Sequence, residues 1–381
     1  YRVDARVRSS EGARSAATTE MSMTPRERLT RCYFHQPTDR PAVYTRTGFP
    51  GNDPTYDRLK AYLSAHTELK LGWSIRRLES EYPVERSVTA YSDDFERVTE
   101  ILYTPRGELR RTHLESLKGQ PGLHETYFIN GPEEAERFLS LPAPQIGGDT
   151  SPFFAAVKKL GDQGIVEVAL GLNPGGSVAE LCGSTNFALL SVSDRDLIHQ
   201  LCAQQMEIML QRVRFAVALG LGPFFSMLGQ EYIVPPLHGP KDFRDFNTKY
   251  DKPIIDCIHE AGGRVHVHSH GSIKRVFQGF LDMGVDVLHP FEPPPQGDIL
   301  AREAKKLARG RMCLEGNIQI HRMYEASPED VQQETERLIA DAFDDHQGLI
   351  VCPTASPYIH GKGEECFPQF KAMIDAVLAC R

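Results

Sequence analysis

The sequence lacks the features that mark several large classes of protein. No apolar run approaches the roughly 20 residues needed to cross a bilayer, so we expect no transmembrane segment and no membrane partner. Positive charge is not in excess, because the formal net charge is -8, and a nucleic-acid partner is therefore not expected. The first residues contain arginines but no apolar stretch of the secretory type, which favours a cytoplasmic protein.

Paired cysteines and nucleotide-binding glycine motifs are also absent. The eight cysteines are widely separated and form no CxxC pair, which favours reduced thiols over a disulfide framework. There is no Rossmann glycine fingerprint, and the glycine-rich segment at 173–180 has no P-loop lysine. We interpret that segment as a turn before a helix, with anion binding by its backbone amides as the weaker alternative.

What the chain does contain, from about residue 164 onward, is short β-rich runs that alternate with helical stretches. This alternation is typical of parallel strands joined by crossover helices. An eighth strand is expected near residues 70 to 80, and the seven evident runs are 41–45, 165–172, 223–229, 264–268, 285–291, 311–317 and 348–353. Seven or eight such strands without a Rossmann fingerprint predict an α/β fold, a (β/α)8 TIM barrel.

The N-terminal third departs from this alternating pattern. Residues 99–115 are typical of a β-hairpin that turns at 105–107, and we interpret the hairpin as an insertion near the barrel mouth. We treat residues 1–22 as a disordered N-terminal tail and residues 23–381 as a single barrel domain.

Polar side chains collect where the predicted strands run into their loops. In a TIM barrel the active site lies at these carboxyl ends, so side chains from separate strands are expected to converge there. The candidates for substrate binding are Arg46, Asn173, His289 and Asn317, and the candidates for catalysis are Glu231, His266 and Glu292. Ordinary alternatives remain for them, such as an exposed loop charge at Glu231 or a solvated arginine at Arg46.

Three histidines at alternate positions stand out in the segment RVHVHSHGSI, residues 264–273. Side chains two residues apart on a strand share a face, so His266 and His268 are expected to point into the barrel, with His270 just beyond in the loop. Zinc in catalytic sites takes three protein ligands and keeps one open position. We therefore expect His268 and His270 to bind a metal, with Cys352 or Glu231 as the third ligand.

Several segments, taken in order along the chain, resemble the uroporphyrinogen decarboxylase superfamily. They are MTPRERLTRCYFHQPTDRPAV, YTPRGELRR, HEAGGRVHVHSHGSI, VDVLHPFEPPPQGDI and MCLEGNIQ, and the resemblance extends over about residues 22–380. The divergent members related to corrinoid methyltransferases are the most similar. The resemblance implies a (β/α)8 barrel, in agreement with the strand alternation.

The methyltransferase branch carries a His-x-Cys-Gly motif and a later cysteine that bind zinc. The corresponding HSHG of this chain has His268 at the histidine position and His270 in place of the cysteine, and Cys352 lies near the later cysteine. Imidazole also binds zinc, so the replacement is chemically tolerable. The implied metal set is therefore His268, His270 and Cys352, while His266 or Glu292 would serve in support or in proton transfer.

The resemblance implies a zinc-dependent methyltransferase of the O- or S-demethylase type. It would move a methyl group between a small methylated substrate, or a thiol acceptor, and a separate corrinoid protein that carries the cobalamin, and the chain could act as a homodimer. One alternative is a metal-free uroporphyrinogen-type decarboxylase, with Arg46 as the carboxylate anchor. The decarboxylase segment carries a second arginine, which YTRTGFP lacks. A non-catalytic barrel that binds a small ligand is the other alternative.

Overall fold

The structure, a computed structural model, describes residues 23–119 and 121–380. Residues 1–22, the predicted tail, lie outside the described residues. The strands are β1 (Ala42–Val43), β2 (Leu69–Ser74), β3 (Val84–Ala90), β4 (Phe95–Thr104), β5 (Gly107–Ser116), β6 (Leu123–Thr126), β7 (Gly164–Leu172), β8 (Phe224–Leu228), β9 (Arg264–His268), β10 (Val287–His289), β11 (Cys313–Ile318) and β12 (Leu349–Pro353).

Helices follow most of the parallel strands and cover the outside of the sheet. They are α1 (Pro25–Tyr33), α2 (Asp57–His66), α3 (Pro132–Leu139), α4 (Ser151–Leu160), α5 (Pro174–Cys182), α6 (Ser184–Ser193), α7 (Arg195–Ala218), α8 (Pro240–Asp242), α9 (Lys249–Glu260), α10 (Phe277–Met283), α11 (Ala301–Ala308), α12 (Arg322–Glu325), α13 (Pro328–Ala342) and α14 (Gly363–Ala379). Short helical turns lie at Ile75–Leu78 and Gln230–Ile233, and a π-helical turn at Phe243–Thr248 precedes α9.

The main sheet is parallel and curled, as in a TIM barrel. Its eight strands follow the order β1, β12, β11, β10, β9, β8, β7, β2. The two end strands approach each other, because the backbone N–H of Glu68, directly before β2, donates a 3.0 Å hydrogen bond to the carbonyl of Val43 in β1. The α/β architecture predicted from the sequence is therefore present, with a TIM-barrel-like sheet.

Each predicted strand position has a strand in the structure. The run at 285–291 is the one most shortened, because only Val287–His289 pairs as β10. The expected eighth strand is β2, which begins one residue before the expected 70–80 segment. Its alternation of burial is irregular, with Leu71 and Gly72 exposed between buried Lys70 and Trp73, which explains why its sequence gives a weak β signal.

Helix α1 lies across the N-terminal ends of the strands. The Thr24 hydroxyl accepts from the N–H of Glu27 and the Glu27 carboxylate accepts from the N–H of Thr24, which forms a capping box that starts the helix. Its buried face packs against β1, β7, β9 and β12. The apolar cluster formed there contains the first or second residue of six strands: Ala42, Ile165, Phe224, Val287, Cys313 and Ile350.

A second, antiparallel sheet is formed by β3, β4, β5 and β6 in that order. The hairpin predicted over 99–115 is present, with Thr104 paired to Gly107 at its turn. Its buried residues Leu102 and Leu109 join a second apolar cluster with Phe128, Phe138 and residues of α5 to α7. The sheet therefore packs on the side of the barrel where β7 passes into its helices.

Two further observations concern the described residues only. None of their helices has the length and apolarity that a membrane crossing needs. The eight cysteines are all free thiols, as the sequence predicts.

Candidate active site

The inward face of the barrel carries charged and ionisable side chains at mid-height. On β9, Val265 and Val267 are fully buried in the apolar cluster shared with the helices. His266 alternates with them and points inward, since it approaches carboxylates on two other strands: its Nδ1 lies 3.9 Å from Glu167 Oε1 and its Nε2 lies 3.7 Å from Glu315 Oε1. The parity that the sequence predicts for His266 is therefore present.

We call the group formed by Lys70, Glu167, His266, His289 and Glu315 the deep cluster. All five side chains are buried. Lys70 Nζ donates to Glu315 Oε2 at 2.7 Å and lies 3.7 Å from Glu167 Oε1. The hydroxyl of Tyr33, on α1, donates a hydrogen bond to Glu167. A charged network thus links the helix below the barrel to the strands around it.

Burial makes the charges of the deep cluster interdependent. Burial alone would lower the pKa of Lys70, but Glu167 and Glu315 outweigh it and raise the pKa above its ordinary value. Burial alone would raise the pKa of Glu315, and Lys70 and His266 reverse that effect, so the pKa of this carboxyl falls well below its ordinary value. Lysine and glutamate are therefore held as a charged pair.

Three donors of the deep cluster fit a metal ion. His266, His289 and Glu315 each offer one ligand atom, and these atoms lie within 4.8 Å of one another. No other group of three or more His, Cys, Asp or Glu residues in the described part of the chain is this close. His266 Nε2 and Glu315 Oε1 are both buried without a hydrogen-bond partner. Two ligands at zinc distances of about 2.1 Å in a tetrahedron would be about 3.4 Å apart. The observed 3.7 Å between these two atoms is close to that separation.

A second group, the rim cluster, lies further along the strands and consists of Arg46, Glu231, His268, His270 and Glu292. His268 packs edge-on against His270 with ring centroids 4.7 Å apart. Glu292 Oε2 is 3.1 Å from His270 Nδ1 and accepts from the N–H of Gly271 at 3.2 Å. Glu231 accepts from the N–H of Gly229, and burial raises the pKa of its carboxyl. Five polar side chains from the ends of four strands and their loops thus lie near one another, and their roles in a site stay predictions.

His268 connects the rim cluster to the deep cluster through His289. Their rings stack with centroids 5.0 Å apart, and the two Nδ1 atoms are separated by 2.8 Å. His289 Nε2 is 3.2 Å from the carbonyl of Pro353, so it must carry a hydrogen, which leaves Nδ1 of a neutral His289 as an acceptor. His268 Nδ1 would then have to donate.

The same His268 nitrogen also faces the guanidinium of Arg46, with Arg46 Nη1 at 3.1 Å. Arginine only donates, so His268 Nδ1 cannot satisfy both neighbours. Burial, with His289 next in effect, lowers the pKa of His268 far below its ordinary value, and burial likewise lowers the pKa of His289, so an extra proton does not resolve the conflict. A hydrogen-bonding capacity at Arg46 is therefore left for a ligand.

The remaining predicted site residues are placed elsewhere or are already engaged. Asn173 is the N-cap of α5, where its Oδ1 accepts from Gly176 N–H, and its Nδ2 donates to Asn247 and Asp251. Asn317 Nδ2 donates to the carbonyl of Phe291. These contacts are structural, and the substrate-binding roles of Asn173 and Asn317 stay predictions.

The implied metal set of His268, His270 and Cys352 does not come together as one group of donors. Cys352 is fully buried on β12 opposite Asn317, and burial raises the pKa of its thiol above the ordinary value, which disfavours the thiolate. Of the residues described, the three donors that do meet are His266, His289 and Glu315. The role of His266 in support or in proton transfer stays a prediction, while its position beside His289 and Glu315 makes it a candidate ligand as well.

The sequence reasoning missed Lys70 and Glu167. Glu167 carries a usable signal, because a carboxylate within the apolar run IVEVALGL has the same parity as Ile165, which faces the barrel interior. Lys70 carries none of comparable strength, since its strand is poorly patterned and its partner Glu315 is 245 positions away.

The chain is similar to known proteins in part of its sequence and in its fold. Residues 178–360 match the family model described as uroporphyrinogen decarboxylase (URO-D). No curated protein matches the chain in sequence. A solved methyltransferase from Methanosarcina mazei is similar over 93% of this chain and 99% of that chain, with 14% sequence identity and a TM-score of 0.60.

A D-psicose 3-epimerase from Clostridium cellulolyticum H10 aligns over 60% of this chain and 92% of that chain. Its 11% identity and TM-score of 0.34 are too low to support a comparison. At 14% identity, the likeness to the methyltransferase concerns the fold.

Proposed function

Because this chain is a divergent member of the uroporphyrinogen decarboxylase superfamily, with a fold similar to that of a methyltransferase, we propose that it is a zinc-dependent methyltransferase of the O- or S-demethylase type. It moves a methyl group between a small molecule and a separate corrinoid protein. The small molecule is a methyl ether or thioether when it donates the methyl group, and a thiol when it accepts it.

The observation that carries the proposal is the unpartnered pair of atoms inside the deep cluster. His266 Nε2 and Glu315 Oε1 face each other across 3.7 Å with no hydrogen-bond partner, and His289 lies beside them. Burying two polar atoms unpaired is costly, and a metal ion would satisfy both. We therefore propose His266, His289 and Glu315 as the zinc ligands, with His289 binding through Nδ1 in place of its contact with His268. His268, His270 and Cys352 are the alternative set implied by the family motif.

Zinc bound there would supply Lewis-acid chemistry, by polarising an ether or thioether heteroatom or by lowering the pKa of a thiol. Lys70 holds the second oxygen of Glu315, which fixes the orientation of that carboxylate. Arg46 is the residue available to an anionic group of the substrate. In demethylation the leaving heteroatom needs a proton, and Glu231 is suited to donate it because burial raises the pKa of its carboxyl.

The barrel geometry favours this assignment of roles. We propose that the curled sheet acts as a closed (β/α)8 barrel, joined between β1 and β2, with the antiparallel sheet beside its mouth. His270 is then positioned by Glu292 at the entrance, where the corrinoid protein would present its cobalt centre. The methylated substrate would lie between the rim cluster and the deep cluster.

The test is metal content together with methyl transfer. Protein purified without chelator is expected to contain about one zinc per chain. It should methylate free cob(I)alamin from members of a panel of methyl ethers and thioethers, or transfer the methyl group of methylcobalamin to a thiol. Removing zinc with a chelator should abolish the transfer, and adding zinc should restore it. A zinc-free protein that decarboxylates uroporphyrinogen would contradict the proposal and support the decarboxylase alternative.

A further inference from the structure

A cavity of about 1000 Å³ lies outside the barrel interior. It is an open cleft bordered by the turn at Ile75–Leu78, the antiparallel sheet, α5 and α7. None of its lining residues belongs to the deep cluster or the rim cluster. Pockets that hold small organic ligands are typically about 300–1,000 Å³, so this cavity is large enough for one.

The inner wall of the cavity is apolar. It is formed by side chains that are buried or half-buried, from β4, β7, α3, α7 and the segment before α3: Leu102, Phe128, Phe138, Leu172 and Ile208. Leu102, Phe128 and Phe138 belong to the apolar cluster that joins the sheet to the helices. The wall is therefore part of a packed core, and its shape is set by that packing.

Two arginines line the cavity where it opens to solvent. Arg76 and Arg77 are exposed, and in the described part of the chain neither side chain makes a hydrogen bond or an ion pair. Arg77 lies over the ring of Trp73 at 5.7 Å, and the aliphatic stem of Arg76 passes over Gly171 at the end of β7. Both guanidinium groups therefore keep their donors free beside an apolar chamber.

The third arginine that lines the cavity differs from Arg76 and Arg77 because its guanidinium group is paired. Arg212 is buried, forms a two-pronged ion pair with Glu79, and donates to the carbonyl of Leu170 at 3.1 Å. Two other carboxylates line the cavity, the exposed Glu81 and Glu180, and Glu180 lies close enough to His124 and Tyr232 to affect their pKa values. Among the arginines of the lining, the adjacent Arg76 and Arg77 are therefore the two whose guanidinium groups are available to an anionic ligand.

We infer that this cavity binds an amphipathic organic carboxylate, whose apolar body lies against Phe128, Phe138 and Ile208 and whose carboxylate is held by Arg76 and Arg77. A guanidinium presents paired N–H groups that match a carboxylate, and it stays charged at any physiological pH. The site is independent of the proposed methyl transfer, because it shares no residue with either histidine cluster.

The experiment measures binding of three matched probes to the full-length protein by calorimetry. Decanoate, decanol and decyltrimethylammonium share an apolar chain and differ in charge. Decanoate should bind saturably and at least tenfold more tightly than the other two. In the double variant R76Q/R77Q the affinity for decanoate should fall at least tenfold, while that for decanol stays within about twofold, because only the charged contact is removed.

Two further variants serve as controls. I208W fills the cavity and should weaken the binding of decanoate and decanol together. R86Q changes an exposed arginine of the antiparallel sheet that pairs with Glu115 and lines no part of the cavity, so it should leave binding unchanged. Thermal unfolding and zinc content serve as checks on folding. Absence of saturable decanoate binding, equal binding of decanol, or unchanged binding in R76Q/R77Q would each overturn the inference, whatever the methyl-transfer assay shows.

Discussion

The deep cluster and the rim cluster contain similar residues but differ in burial and in how their charges are stabilised. In the deep cluster every side chain is buried, and Lys70 lies between two carboxylates at 2.7 and 3.7 Å. In the rim cluster the His270 side chain is 39% exposed and faces Glu292 at its loop. A buried charge must have a fixed partner, whereas a partly exposed charge can rely on water.

The difference indicates that the two clusters have different roles along the barrel. The deep cluster is held in one arrangement by its ion pairs, which suits a site that must keep ligand atoms in place. The rim cluster contains an arginine and a histidine whose hydrogen bonds cannot all be met together, which suits a surface that exchanges its partners. Changes in the deep cluster should therefore have larger effects than equivalent changes at the rim.

The largest difference is expected between His266→Ala and His270→Ala. Loss of a direct ligand should lower zinc affinity by more than about 100-fold, since even the loss of a supporting contact costs 10- to 100-fold. His270→Ala should keep zinc within about tenfold of the unaltered protein. Zinc affinity is measured by competition with a chromogenic chelator. If His270→Ala releases zinc and His266→Ala retains it, the metal lies in the motif-based set and the assignment of the deep cluster is wrong.

Lys70→Met should be the next largest change, and it concerns stability. Removing the cation that lies between Glu167 and Glu315 leaves a buried carboxylate without its ion-pair partner, which typically costs about 3–5 kcal/mol in free energy of unfolding. Urea denaturation of the chelator-treated protein measures it. The double variant K70M/E315Q removes both charges of the 2.7 Å pair and should recover at least half of the loss. Equal destabilisation of the single and double variants would contradict the interpretation.

Arg46→Gln should have a smaller effect that is confined to substrate binding. Because Arg46 competes for a nitrogen that already faces His289, its guanidinium is available to an anionic substrate, and its loss should raise KM about tenfold. Zinc content and kcat should change little. Steady-state kinetics with an anionic and a neutral methyl ether give the comparison. An equal effect on both substrates would show that Arg46 acts through His268 instead.

Asp251→Asn extends the comparison to a buried carboxylate that has no cation. Amides of Asn173 and Gln230 donate to Asp251, and burial raises its pKa to about 7. The folded chain therefore keeps a proton that the unfolded chain has released above about pH 4, so the free energy of unfolding falls as pH rises from about 4 to 7. Asp251→Asn should remove this decrease. The decrease in Tm between pH 5 and pH 8 should be at least halved in the variant, and an unchanged decrease would contradict the assignment.

The sequence predicted the parallel strands and the inward parity of His266, because period-2 alternation and glycine-bounded apolar runs are local signals. It did not predict which donors meet. Glu315 and His266 lie 49 positions apart, and only the curl of the sheet brings them together. A family motif pointed to His268, His270 and Cys352, but the depth of each side chain along the barrel depends on strand register, which no local pattern encodes.

Helix α1 closes the N-terminal end of the barrel with an apolar cluster, and Tyr33 is tied by its hydroxyl to Glu167 inside. That end of the sheet is therefore covered, and the rim cluster lies toward the opposite end, where the strands run into their loops. In the proposed transfer the small molecule binds inside this end of the barrel and the corrinoid protein docks over it, so the small molecule has to enter first. We expect initial-rate kinetics with a compulsory order, in which the demethylated product leaves last and competes with the methylated substrate for the free protein.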